Sequence, residues 1–172
     1  MLLKYSLIRE VEYPIRGHAT DAGIDFFMPQ INEKFISDFN ALKANKGARL
    51  DNEELTLLPS FNALIPSGVK VEIPFGHMGL FLNKSGVASK KDLIIGAQVV
   101  DTFYSGEIHI DLHNVGSEII IIVPNEKLAQ MVIVPVLNCD LTEVSEDMLY
   151  DWMKENEYRN ESGFGSTDKK KS

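Results

Sequence analysis

The sequence predicts an all-β fold, a barrel, sandwich or jelly roll, with one or two short helices set into it. Two observations carry that prediction. Short segments of alternating apolar and polar residues crowd the middle of the chain, and turn-forming residues separate them. A third sets the scale: 172 residues at 44% hydrophobic favour one compact domain with a core that needs no disulfide. Cys139 is the single cysteine, so no internal disulfide can form.

In chain order, Met1 to Tyr13 is a short apolar stretch broken by Lys4, Arg9 and Glu10, unlike a secretory leader. Glu33 to Lys46 then places Phe35, Phe39 and Leu42 at helical spacing, which predicts a helix packed on the β-body. Val69, Val71 and Ile73 alternate with Lys70 and Glu72, and Met78, Leu80 and Leu82 repeat the pattern. Leu93 to Ile95 is a further strand. Ile108, Ile110 and Leu112 alternate with His109, Asp111 and His113, and apolar runs follow at Ile119 to Val123 and Met131 to Val136. Between them lie Pro66-Ser67-Gly68, Pro74-Phe75-Gly76, Ser105-Gly106 and Pro124-Asn125, all turn chemistry. Ser145 is a candidate N-cap for a second helix reaching Glu155 to Glu157, with Leu149, Trp152 and Met153 as its apolar stripe. From Tyr158 the periodicity ends in Gly- and Ser-rich sequence, which reads as a mobile tail. The expected organisation is a β domain over residues 1–158 and a tail over 159–172.

The formal net charge of −8 argues against a general grip on nucleic acid, which needs clustered Lys and Arg. The longest aliphatic run is far too short to span a bilayer, so a soluble, intracellular protein is expected, without membrane or stable nucleic-acid partners.

Four segments have chemistry as well as structure to offer. Thr20 to Asp25 combines two acids with a Gly turn; it is either a loop entering a strand or part of a polar site. Lys84-Ser85-Gly86 sets a cation and a hydroxyl beside a glycine that allows close approach to the backbone, a combination that suits phosphate but is also common by chance. Gly96 to Ile108 reads as a hairpin in which Asp101 follows Val99 and Val100. There a carboxylate either starts a turn or is held to orient a water, and Tyr104 is either core or a platform for a sugar or base. Arg159 precedes Gly163-Phe164-Gly165-Ser166-Thr167, whose amides and hydroxyls suit phosphate oxygens; the competing reading is a disordered tail. It is no Walker A loop, because the Gly-Lys-Ser/Thr ending is absent.

Taken in order, these segments resemble the trimeric dUTPase family over nearly the whole chain. The matching motifs are Ala22 to Asp25, Lys84 to Ala88, Gly96 to Ile108, Glu126 to Gln130 running into Met131 to Pro135, and Arg159 to Thr167. The resemblance implies a jelly-roll, distorted-barrel subunit in a homotrimer with shared active sites. It implies hydrolysis of dUTP to dUMP and pyrophosphate, which limits uracil in DNA and supplies dUMP for thymidylate synthesis.

By the same resemblance, Gln98, Val99 and Val100 through His109 read uracil, and Tyr104 lies against the deoxyribose. Lys84, Ser85, Gly86 and Gln130 hold the phosphates. Arg159, Gly165, Ser166 and Thr167 engage their far end, and Phe164 covers the base. Asp101 activates the water, and Asp25 meets Mg²⁺ through one of its waters. The expected location is the cytoplasm, that of the host if the gene is viral or phage-borne.

The chain departs from the family pattern at several positions. Lys84 stands where Arg is usual and Gln98 where Gly is usual, while Asn160, Ser162 and Asp168 replace tail glycines. Residues 30–54 look inserted and 145–157 longer than usual; a lid, a trimer buttress or a surface for a partner protein are open roles. A dCTP deaminase or bifunctional deaminase–dUTPase is the nearest alternative, and an added dUTP-gated interaction role is the other.

Overall fold

The computed structural model describes residues 1–51 and 53–150. These form two compact units, Met1–Leu137 and the segment from Asn138 onward.

The first unit is a β-structure with every strand pair antiparallel. Its strands are β1 (Lys4–Leu7), β2 (Ile24–Phe27), β3 (Ala48–Leu50), β4 (Leu55–Leu57), β5 (Asn62–Pro66), β6 (Val69–Glu72), β7 (His77–Leu82), β8 (Leu93–Ile95), β9 (Val99–Val100), β10 (His109–Asn114), β11 (Ile120–Ile122) and β12 (Lys127–Pro135). They hydrogen-bond in the orders β1-β6, β5-β10-β8, β11-β4-β3 and β2-β12-β7-β9. Few neighbours in these sheets are consecutive in sequence, so the chain crosses repeatedly between sheets, as in a jelly roll.

The alternation reads out directly as burial. Val69 and Val71 on β6, and Ile110 and Leu112 on β10, point into one core cluster with Phe26, Ile65 and Met131. Strand β7 follows the other phase. Gly79 and Phe81 are its buried residues, while Met78, Leu80 and Leu82 are half-buried opposite Val134, Val132 and Gln130 of β12. A central strand carries apolar residues on both faces, so alternation in its sequence does not mark the core side.

The expected first helix forms as α1, Glu33–Ala41, shorter than the Glu33–Lys46 expected: Leu42 is extended and donates its N–H to the Phe39 carbonyl, which ends the helix. The Asn32 side chain caps it by accepting from the Phe35 amide, and Phe35 and Phe39 are its buried residues. Beyond the helix, buried Asn45 locks the segment to β5: its amide donates to the Phe39 and Leu64 carbonyls and its oxygen accepts from the Leu64 N–H at 2.6 Å. The 30–54 segment therefore contributes to the core instead of lying over it. A second helix, α2 (Ser85–Lys91), follows β7, with Lys84 at its N-cap position.

In the second unit, Glu146–Met148 forms one 3-10 turn, and Ser145 makes no side-chain cap bond. The expected 145–157 helix does not continue beyond it, since Leu149 is extended and Tyr150 takes φ +61°; residues 151–157 lie outside the described residues. Among the described residues, no helix is long and apolar enough to cross a membrane.

Candidate active site

Register brings the first group of expected site residues together. Asp25 on β2 lies directly across from Gln130 on β12, whose other neighbour is Leu82 at the end of β7. The chain leaves β7 through Asn83 into Lys84, so the end of β7 delivers a cation beside the Asp25 carboxylate. Lys84 Nζ donates to Asp25 Oδ1 at 2.7 Å, and Lys127 Nζ lies 2.8 Å from Oδ2. A shift in register between Lys127 and Ala129 brings Lys127 round to this carboxylate. Burial pushes the Asp25 carboxyl up, but the hydrogen bonds and charges of Lys127 and Lys84 outweigh it and hold it below the usual carboxylate range. Two ammonium groups share one carboxylate, which leaves one positive charge in excess. Both lysines reach solvent, while the Asp25 side chain is only 4% exposed.

Gln130 completes this group. Its Nε2 donates to the Asn83 carbonyl at 3.0 Å, and a Cβ on Gly23 would fall 2.0 Å from its Oε1. Glycine at 23 is thus a requirement of the Gln130 position. Ser85 and Gly86 open α2 just after Lys84.

The second group lies on the segment between β9 and β10. Strand β9 is the edge of its sheet: Val99 and Val100 pair with Leu80 and Gly79, and the Phe81 N–H donates to the Gln98 carbonyl at 2.8 Å. The other side of an edge strand keeps backbone donors and acceptors available to a ligand. After β9 the chain turns tightly. The Tyr104 N–H donates to the Asp101 carbonyl, Phe103 takes φ +68°, and the Thr102 hydroxyl lies 3.0 Å from the Pro74 and His77 carbonyls. Asp101 is exposed, and its carboxylate has no hydrogen-bond or ion-pair partner among the described residues. Tyr104 folds its ring back over Gly106 so that its hydroxyl donates to the Glu107 carbonyl at 2.8 Å. His109 Nδ1 lies 3.0 Å from the same oxygen. Tyr104 and Phe103 also wall an open groove of about 700 Å³ with Tyr5, Ile73 and Phe75.

The two groups flank β7, and no hydrogen bond or ion pair among the described residues joins Asp25, Lys84, Lys127 and Gln130 to Asp101, Tyr104 and His109. A dUTPase family model matches residues 50–168, which include most of both groups. The chain belongs to the dUTPase family.

The curated relatives agree. A deoxyuridine 5'-triphosphate nucleotidohydrolase from Chlamydia trachomatis is 36% identical over 118 residues, 67% of this chain and 77% of that protein. The one from Corynebacterium jeikeium is 32% identical over 166 residues, 94% of this chain and 88% of its own. Among solved structures, the Staphylococcus bacteriophage 80alpha dUTPase with dUpNHpp has a TM-score of 0.68 at 27% identity, covering 96% of this chain and 97% of that one. A variant dUTPase from phage phi11 of S. aureus, described for its coordination of a structural Mg(II) ion, has a TM-score of 0.65 at 29% identity, covering 85% and 98%.

Within this dUTPase chain, the expected tail residues Arg159, Phe164, Gly165, Ser166 and Thr167 lie outside the described residues. Lys127 and Asn83 belong to the group around Asp25 and Gln130 although only the geometry singles them out. A cation in the Glu126 to Gln130 motif was the available signal for Lys127; nothing local marks Asn83, which holds Gln130 through its backbone carbonyl.

Proposed function

We propose that the chain is a dUTP pyrophosphatase that releases dUMP and pyrophosphate through a site shared between subunits. The observation that carries this reading is the division of one dUTPase-family chain into two groups. One is a two-lysine, Gln130-bearing group suited to phosphate oxygens. The other is an edge-strand hairpin carrying exposed Asp101 and Tyr104.

On this reading the open edge at Gln98, Val99 and Val100, with the return to His109, takes up the Watson–Crick edge of uracil. Tyr104 lies against the deoxyribose where a 2′-hydroxyl would clash. Lys84, Ser85, Gly86, Lys127 and Gln130 hold the phosphate chain, and Asp25 keeps both lysines aimed. Asp101, whose carboxylate has no partner among the described residues, accepts a proton from a water attacking the α-phosphorus in line; the new P–O bond gives dUMP and the bridging oxygen leaves on pyrophosphate. Arg159, Ser166 and Thr167 engage the terminal phosphate, and Gly165 and Phe164 close over the nucleoside from a neighbouring subunit.

Among the described residues, no group of three or more His, Cys, Asp or Glu could cage a metal, and both Asp25 oxygens already accept from lysines. With no direct ligand position free on Asp25, a cation carried by the triphosphate would keep most of its own waters and would meet Asp25 through one of them. Mg²⁺ held in this way would supply positive charge against that developing on the leaving pyrophosphate.

A homotrimer is supported by the exposed Ile119, Ile121 and Val123, which lie on β11 and at its two ends. A net charge of −8 argues against nucleic acid as a partner, and a cytoplasmic nucleotide pool, the host's for a phage gene, is the expected source of substrate.

A nucleotide panel assayed for pyrophosphate and ammonia, with and without Mg²⁺, tests the proposal. Pyrophosphate from dUTP alone, enhanced by Mg²⁺, is the expected result. Ammonia from dCTP would replace this reading with a deaminase.

A further inference from the structure

A shielded ion network lies beneath the nucleoside-side hairpin, outside all of the residues given a role above. Arg9 Nε donates to Glu107 Oε1 at 2.6 Å and Arg9 Nη2 to Glu107 Oε2 at 2.9 Å, a two-pronged contact between side chains only 8% and 11% exposed. The Gly68 N–H, from the turn between β5 and β6, donates to the same Oε1 at 2.7 Å. Arg9 Nη2 also reaches Asp38 Oδ2 at 2.7 Å, and the guanidinium stands over the Phe35 ring at 5.8 Å. Asp38 and Phe35 both belong to α1, so the 30–54 segment holds Arg9, while Arg9 and the β5–β6 turn hold the Glu107 carboxylate.

Glu107 itself is the last residue but one before β10, and its backbone carbonyl is the acceptor for the Tyr104 hydroxyl and the neighbour of His109 Nδ1. Holding the Glu107 side chain from two sides, by Arg9 and the Gly68 N–H, therefore fixes the peptide oxygen that sets the Tyr104 ring. The ring lies against Gly106, where a Cβ would fall 2.5 Å from the Tyr104 hydroxyl oxygen, so this ring position needs glycine at 106. An ion pair this shielded contributes little net stability over apolar residues of equal volume, so geometry is the more economical reason for its presence.

We propose that Arg9 and Glu107 are positioning residues for substrate selection, which hold Tyr104 at the tilt that excludes a 2′-hydroxyl, and that Asp38 of α1 completes the clamp. The inference rests on Tyr104 facing the deoxyribose. It gives the 30–54 segment a function in specificity, exerted through Arg9.

Arg9→Met keeps most of the apolar stem and removes the fork; Arg9→Lys keeps the charge alone; Asp38→Asn perturbs the clamp from its solvent side, where the Asp38 side chain is 38% exposed. In steady-state assays with dUTP and UTP, Arg9→Met is expected to raise KM for dUTP about tenfold and lower the dUTP/UTP ratio of kcat/KM about tenfold, with kcat within about threefold. Arg9→Lys recovers part of the ratio, and Asp38→Asn lowers it two- to threefold. Tyrosine ring NMR of the same proteins reads the clamp without turnover: the Tyr104 signal moves in Arg9→Met and Asp38→Asn and stays in Arg49→Met, an exposed cation on β3. An unchanged dUTP/UTP ratio in Arg9→Met and Asp38→Asn, or an unmoved Tyr104 signal, overturns the proposal. A wild-type protein that leaves dUTP intact overturns the function proposed above, and the Tyr104 signal then decides the clamp by itself.

Discussion

Replacing Asp25 with asparagine keeps the shape of the side chain and removes the charge that Lys84 and Lys127 share. Each lysine contributes a charge-assisted hydrogen bond, at 2.7 and 2.8 Å, to a carboxylate that is 4% exposed. Hydrogen bonds to charged groups contribute about 1.5–3 kcal/mol each. The lysine side chains are 29% and 41% exposed and recover water when released, and pairs exposed to that degree retain only about 1 kcal/mol or less. Asparagine Oδ1 also still accepts from one of them. The expected loss is about 2 kcal/mol at neutral pH, measured from urea unfolding midpoints at one fixed protein concentration.

The dependence on pH identifies the cause. The two lysines hold the folded carboxyl below its ordinary value against the opposing effect of burial, so as pH falls the unfolded chain binds the proton first. The stabilisation is complete above the unfolded pKa, about 3.9, and is lost as pH falls through the folded value. Wild type and Asp25→Asn should therefore differ by about 2 kcal/mol at pH 7 and converge in acid. A gap that stays constant with pH, or one under about 0.5 kcal/mol at pH 7, would refute the charge argument.

Asp101→Asn should lower kcat by about 10²- to 10⁴-fold while dUTP binding, followed by calorimetry, stays nearly unchanged; wild-type turnover would remove Asp101 from its role. Phe39→Ala should cost about 3–5 kcal/mol in unfolding free energy, because the side chain is fully buried in the common core; a loss under about 1 kcal/mol would make the 30–54 segment an appendage. Truncation after Tyr158 should leave the thermal midpoint and the mass of the assembly unchanged while turnover falls at least about 100-fold, measured by pyrophosphate release and light scattering.

Local features announced themselves in the sequence where their causes are local. Alternation at Val69 to Ile73 and Ile108 to Leu112 marks strands because the side-chain period of a strand is two. Asn32 and the Phe35–Phe39 spacing mark α1 for the same kind of reason. The core face of β7 was not legible, since both faces of that strand carry apolar residues. The meeting of Lys84 and Lys127 on Asp25 depends on the β2-β12-β7 strand order and on a register shift, neither of which a linear pattern encodes. Motif order could group Lys84, Gln130 and Asp101 as one site, but their division into two groups on either side of β7 needs three dimensions. The Arg9–Glu107 clamp joins residues 98 positions apart, and nothing in the surroundings of either residue marks it.

On the proposed mechanism water attacks the α-phosphorus of dUTP with Asp101 as the base. Single-turnover hydrolysis in ¹⁸O-labelled water, with both products examined by mass spectrometry, reads the attacked phosphorus. Attack at the α-phosphorus puts one labelled oxygen in dUMP and none in pyrophosphate. Label in pyrophosphate, or dUTP left unhydrolysed, would contradict it.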